Sequence, residues 1–401
     1  MTSETLHVAI IGAGATGLLI AQGLKKANIR VSVFEGMSQD TYDNNPRTWT
    51  MALHWSRRNV EQCLPAHLFR DLFLAYTNPW QEPSQEQAQS LPISDGKTGE
   101  LLFAAPVDDA RRVVRQKLRN LFRQELNVNF GHELLEVKIH QGEVVLAFQH
   151  GESITADIVI GADGAKSVVR NHLVEGEART LKRVPLVSTN IGCRYSAEQA
   201  MYLRKRIHPI ANMSVHPDQE TLFFLALADV PDPKDPKTWE FQVALSLWTD
   251  EEPPETNEGR MKLFKKLAGS YCEPYRSAAL WVPDDTYIPR DKYAEWTSIV
   301  PWNNFGGRIT LAGDAAHPMC PFRGQGLNNA LQDAGNLVNA LVAVQQGAKS
   351  MAAAIDSYDA EVYARGKREI ETSEESMYGL HHYDAVKSSP LNNIGLREQK
   401  N

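Results

Sequence analysis

Residues 7 to 17, HVAIIGAGATG, set a short continuous apolar run directly before three glycines spaced G-x-G-x-x-G, which narrows the possible folds sharply. Such a run reads as a fully buried parallel strand. In LLIAQGLKKANI the apolar residues recur at helical spacing, and RVSVFE then alternates into a second strand, making a βαβ unit about thirty residues long. Asn28 falls where the helix terminus asks for a left-handed residue, a conformation asparagine tolerates. In this setting Gly12 makes the tight turn, Gly14 admits a pyrophosphate and Gly17 lets helix and strand pack closely, with Ala15 and Thr16 in the same loop. The helix N-terminus offers its amides to the phosphates. Glu35, eighteen residues past Gly17, ends the second strand, where its carboxylate accepts from the hydroxyls of an adenosine ribose and repels a 2′-phosphate. The glycine motif implies a dinucleotide and does not by itself separate NAD from FAD.

The bulk numbers bound the rest. A chain of 401 residues suggests two to three cores, or one large cofactor fold with an inserted domain. A net charge of -7 argues against nucleic acid or an anionic membrane as the main partner and leaves a small molecule. Cys63, Cys193, Cys272 and Cys320 show no C-x-x-C or zinc-like spacing, which fits a reducing compartment, and no metal is expected. The first residues lack the pattern of a signal peptide, and no apolar run approaches the roughly 20 residues of a membrane span. A soluble, cytoplasmic protein is the expectation. The sequence does not specify an oligomeric state.

Composition divides the chain into successive segments. Residues 1–75 carry the βαβ unit, and 76–100, rich in Pro, Gln, Ser and Gly, read as an irregular exposed excursion. Residues 101–180 return to the cofactor domain through a basic amphipathic helix, RRVVRQKLRNLFRQEL, short strands and DIVIGADG. From 181 to 300, alternating stretches such as TLFFLALADV and WEFQVALSLWT predict a sheet-rich substrate domain. Residues 301–345 complete the cofactor domain, with a helix from about Leu327 to Val344. Residues 346–401 form a final helix and a tail expected to be loose beyond His381. The fold class expected is α/β (α+β mixed): a Rossmann-like domain with an inserted sheet-rich domain and a C-terminal helix.

GADGAKSVVR at 161–170 and AGDAAHPMCPFRGQGLNNALQDAGNL at 312–337, together with the N-terminal glycine motif, resemble the flavoprotein monooxygenases of the para-hydroxybenzoate hydroxylase family over most of the chain. PRTWTMALHW and DPKDPKTWEFQ are similar to fungal members acting on secondary metabolites. The resemblance implies FAD as cofactor, with Asp314 accepting from a flavin ribityl hydroxyl and Asp163 serving the pyrophosphate side. It implies an FAD contact for Arg115, for which Arg111 and Arg112 are alternatives; Arg47, a lone arginine, reads either as facing flavin or nicotinamide phosphates or as structural. Pro321, Gly324 and Gly326 would let backbone approach the flavin ring. The following helix would aim its N-terminal dipole and the amides near Leu327 and Asn328 at the ring, stabilising the anionic reduced flavin.

Only one dinucleotide fingerprint is present, so NAD(P)H would dock transiently as reductant. The resemblance implies that O2 is then activated as a flavin C4a-hydroperoxide and transferred to an aromatic or apolar small molecule. Hydroxylation is the leading outcome, with epoxidation, Baeyer-Villiger insertion, or a reductase without oxygen insertion as alternatives. A flavin halogenase is disfavoured because WTSIVPW at 296–302 does not match W-x-W-x-I-P, and a non-catalytic binding module because the flavin-contacting glycines and Asp314 are all present. His54, His317 and Cys320 read as structural, and no catalytic base is identified.

Overall fold

The computed structural model describes residues 6–45, 49–140 and 142–399, so Arg47 lies outside the described residues. The chain opens with β1 (His7–Ile11), the helix Ala15–Lys26 and β2 (Arg30–Glu35), as the apolar pattern requires. Asn28 takes φ 57°, the left-handed turn expected of it. Next come β3 (Thr50–Leu53), β4 (Ser90–Asp95), β5 (Leu101–Pro106) and β6 (Arg111–Val114), the last running into the helix Arg115–Arg123. β7 (Val128–Phe130) precedes an antiparallel trio, β8 (Leu134–His140), β9 (Glu143–Phe148) and β10 (Ser153–Ala156), and then β11 (Ile158–Gly161). β12 (Lys182–Arg183) leads into β13 (Leu186–Arg194), β14 (Asn212–Val215), β15 (Thr221–Asp229) and β16 (Glu240–Trp248). β17 (Ala294–Glu295) pairs back on β12, and β18 (Ile309–Leu311) precedes the helices Gly326–Gln345 and Met351–His381.

Two sheets organise this chain. The first has the order β18-β11-β1-β2-β7, with every pair parallel. It is buried on both faces, which is why β1 and β11 are continuous apolar runs. The second, β13-β16-β15-β14-β4-β5, alternates between two environments. Phe241, Val243 and Leu245 of β16 join Phe223, Leu225 and Leu227 of β15 in a core under the helices Asn257–Ala268 and Tyr275–Leu280. Gln242, Ala244 and Ser246 point the opposite way, toward the first domain. The mixed α/β class is therefore the one expected.

Three expectations are corrected. Residues 76–100 are not an irregular excursion: Ser84 and Gln87 close a capping box, and β4 inserts between β14 and β5, burying Leu91 and Ile93. Pro92 disguised the strand, yet it precedes the β14 pairing that starts at Ile93 and so withholds no amide from it. The basic helix begins only at Arg115, because Arg111–Val114 pair with β3 and the β-branched Val113 and Val114 favour extension. The tail beyond His381 is packed, with Val386, Leu391 and Leu396 buried against β4, β5 and β14 residues. His381 itself is fully buried, whereas a flexible setting was expected.

Burial pushes His54 down to about 3 and His208 and His381 down to about 4, so all three are neutral in the fold at pH 7. Unfolding returns each to an ordinary value near 6.5, so the unfolded chain binds more protons below that pH. Their contribution is complete above about pH 6.5 and is lost as the pH falls toward 4. Asp359, raised to about 6 by burial, works in the opposite direction over pH 6 to 4. Asp163, Glu295 and Asp314 are raised in the same sense as Asp359, so the histidine part is isolated by substitution: in His381→Gln the drop in thermal midpoint from pH 7 to pH 5 is expected to be smaller than in the wild type. An equal or larger drop in that variant would contradict the role given to His381.

Candidate active site

The carboxyl edge of the parallel sheet gathers what the sequence scattered. Neighbouring strands β18, β11, β1 and β2 end there, leading respectively to Asp314, Asp163, the Gly12–Gly17 loop and Glu35. Ligands in open α/β sheets bind at this edge. Gly12 has φ 104°, and a Cβ there would meet Ala162 O at 2.4 Å; a Cβ on Gly17 would meet Gly12 O at 2.1 Å. These two glycines are required by the protein's own packing. Gly14 differs: a Cβ would have nothing within 4 Å, leaving beside the helix N-terminus the open cradle a pyrophosphate needs. Glu35 accepts from Ala13 N and Met37 N, both at 3.0 Å, which fixes its carboxylate while leaving lone pairs for ribose hydroxyls. The loop therefore fits an adenosine dinucleotide. Thr16 packs against Gly313, whose φ is 63°, joining this loop to the one that carries Asp314.

Asp314 opens onto the cleft. Protein packed around and beneath its carboxyl raises its pKa, with the charges of His317, Arg115 and Arg170 pulling the other way. Its loop is pinned from below by Asp333, which accepts from Gly313 N at 2.6 Å, His317 Nε2 at 2.7 Å and Arg365 Nη2 at 2.5 Å. Burial alone would raise Asp333, but His317 and Arg365 hold it below the usual carboxylate range. Arg170 donates to Ala315 O at 3.0 Å and to Ala165 O, tying the two acidic loops together over the Trp296 ring. His317 thus helps hold this loop through Asp333.

Pro321, Gly324, Gly326 and Leu327 line the same cleft as Asp314. Gly324 has φ 64°, and a Cβ on Gly326 would meet nothing within 4 Å, so the backbone lies open to a flat ligand. The first intrahelical bond of Gly326–Gln345 runs from Asn329 N to Gln325 O, which leaves the amides of Gly326, Leu327 and Asn328 ahead of it. The Asn328 side chain is already occupied, accepting from His54 N and Ser56 Oγ and donating to Ala52 O and His54 Nε2. Its offer to a ligand is therefore the backbone amide. His54 acts as the acceptor that orients it.

Asp163 accepts from Ser167 Oγ at 2.5 Å and Val168 N at 2.7 Å, so its carboxylate caps the helix Val168–Leu173 beside Gly12. Arg115 starts its helix against Trp49, with its guanidinium 4.6 Å from that ring centre and near enough to act on Asp314. Arg111 turns away to Glu82 and Asp109. Arg112 enters the interdomain space instead.

That space is a cavity of about 300 Å³ between the Asp314–Leu327 loop and the inner face of the second sheet. Phe224, Leu222 and Met213 give it apolar walls, and Asn190, Gln242, Ser246 and Arg112 a polar row. Ser246 Oγ lies 2.7 Å from His381 Nε2, while His381 Nδ1 is 2.8 Å from Met377 O. The carbonyl requires a proton on Nδ1, so Ser246 donates to Nε2 and keeps its own lone pairs for a ligand hydroxyl. None of these polar residues was singled out as a site residue from sequence, Arg112 having been only an alternative contact. The one available signal was the polar set Gln242 and Ser246 on one face of an otherwise apolar strand.

The FAD binding domain family model matches residues 5–277 and 289–373. The FAD-dependent monooxygenase phnB of Penicillium herquei is 36% identical over 398 residues, 98% of this chain and 95% of that protein. The chain is a flavoprotein monooxygenase of the para-hydroxybenzoate hydroxylase family. A second fungal relative, the FAD-dependent monooxygenase cctM of Talaromyces islandicus, is 31% identical over 99% of this monooxygenase and 98% of its own length. Klebsiella pneumoniae HpxO, solved with FAD and uric acid, shares the monooxygenase's fold, with a TM-score of 0.73 and 18% identity over 98% of this chain and 93% of its own. FAD is the cofactor of this monooxygenase, and no helix among its described residues is long and apolar enough to cross a membrane.

Proposed function

We propose that this monooxygenase uses NAD(P)H and O2 to hydroxylate an aromatic or other electron-rich apolar small molecule in fungal-type secondary metabolism. The observation that carries the reading is the cavity whose one wall is the Asp314–Leu327 loop and whose other walls are the apolar and polar faces of the second sheet. The Gly12–Gly17 loop and Glu35 would hold the adenosine and pyrophosphate, and Asp314 the ribityl chain. When bound, FAD supplies acceptance of hydride and activation of O2, one oxygen atom going to the product and the other to water.

The chain's own residues bind, orient and exclude water. The amides of Gly326, Leu327 and Asn328 would stabilise negative charge that exists only during turnover. Phe224, Leu222 and Met213 keep the reacting carbon dry, and Ser246, backed by neutral His381, would accept a hydrogen bond from a substrate hydroxyl. Asp163 would act through the loop beside Gly12 and Arg115 through phosphate oxygens.

The test is turnover of the FAD-loaded protein with NADH or NADPH under 18O2, using a panel of fused-ring phenols. A product heavier by one labelled oxygen supports the reading, and fragmentation distinguishes hydroxyl, epoxide and inserted ester. Reduction of an added acceptor without air, with no label in any product, would replace it with the reductase reading.

A further inference from the structure

Arg112 is 8% exposed and lines the cavity, yet among the described residues it forms no ion pair with a carboxylate. Its partners are all neutral. Nε donates to Thr50 Oγ1 at 3.0 Å, and Nη2 donates to Thr50 O at 3.0 Å, to Thr50 Oγ1 and, at 3.4 Å, to Gln242 Oε1. Phe224 sits beneath the guanidinium, with its ring centre 4.9 Å away. Burial lowers its pKa to about 9, which still leaves it charged at neutral pH.

The setting is built rather than accidental. Gln242 Nε2 donates to Asn190 Oδ1 at 2.9 Å, which fixes the amide so that Oε1 faces Thr50 N, Thr50 Oγ1 and Arg112. Antiparallel pairing of Ala52 with Arg112 puts the guanidinium on the face of β6 that looks at the second sheet. A smaller polar cleft also touches Arg112, but Thr50, Gln242 and Phe224, which surround its head, all belong to the main cavity. A buried cation held by neutral groups is expensive unless an anion joins it.

We propose that Arg112 is the anion receptor of the substrate cavity and that the substrate binds with an ionised oxygen, as phenolate, enolate or carboxylate, against its guanidinium. This rests on the reading of the cavity as the substrate site. Ionised substrate is then selected over its neutral isostere, and the anchored oxygen sets which ring carbon faces the cofactor loop. Thr50 and Gln242 accept from Nε and Nη2, which leaves Nη1 for the ligand.

The test is equilibrium dialysis of 3-hydroxy-2-naphthoate and its carboxamide, which share shape but not charge, against FAD-loaded protein at neutral pH. The wild-type chain is expected to bind the carboxylate about tenfold or more tighter than the amide, the scale of a charge-assisted hydrogen bond. Arg112→Met should abolish that preference with FAD content unchanged, and Arg112→Lys should keep part of it. Gln242→Glu, which supplies an internal counter-ion, should abolish it too and serves if Arg112→Met does not fold. Absence of any anion preference in the wild type, whether both probes bind alike or neither binds, overturns the proposal, as does a preference that survives in the variant that folds. Failure of the parent reading shows elsewhere, as missing FAD or missing 18O.

Discussion

Asp333→Ala is expected to destabilise the protein by about 3–5 kcal/mol, the scale of removing one partner from a buried ionic cluster. Asp333 is fully buried and accepts from Arg365, His317 and the Gly313 amide together. Its loss leaves Arg365 with Glu361 and Asn329, but leaves His317 Nε2 and the Gly313 amide without their acceptor. The Gly313 amide belongs to the turn that presents Asp314, so FAD affinity should fall along with stability. Denaturant unfolding with and without added FAD measures both effects. A loss under about 1 kcal/mol would show that the cluster does not hold the loop.

Gly14→Val is expected to separate cofactor binding from folding. Gly14 precedes the first helix with φ -73° and ψ 179°, ordinary extended backbone, and its Cβ position is empty of protein. The flavin-free fold should therefore keep its denaturation midpoint. The added side chain occupies the space assigned to the pyrophosphate, and overpacking of about 1–3 kcal/mol corresponds to roughly 5- to 150-fold weaker FAD binding. Gly17→Ala provides the contrast, since its Cβ would lie 2.1 Å from Gly12 O and should damage the fold itself. Flavin titration of the two variants, beside their unfolding curves, decides the matter. Unchanged FAD affinity in Gly14→Val would remove the pyrophosphate from this loop.

The cofactor half was legible because its determinants are local. Gly12, Gly14 and Gly17 answer to the geometry of one strand, one turn and one helix, and Glu35 follows within the same βαβ unit. Asp314 was picked out for a related reason, standing just past a strand end among glycines. Local reading failed where partners come from far along the chain. Pro92 and the polar residues around it concealed β4, which becomes a strand only when β14, more than a hundred residues later, pairs with it. His381 looked like part of a loose tail until Ser246, 135 residues away, met it in the interior.

By itself the sequence determined the βαβ glycine loop, the family and the presence of a second sheet, because backbone turns and alternating burial leave short-range marks. Only the tertiary structure decided the character of the cavity. Thr50 meets Arg112 across 62 residues and Gln242 across 192, and no spacing rule links them. A guanidinium becomes an anion receptor through what surrounds it and what charge is missing, and both are settled when the two domains close on each other.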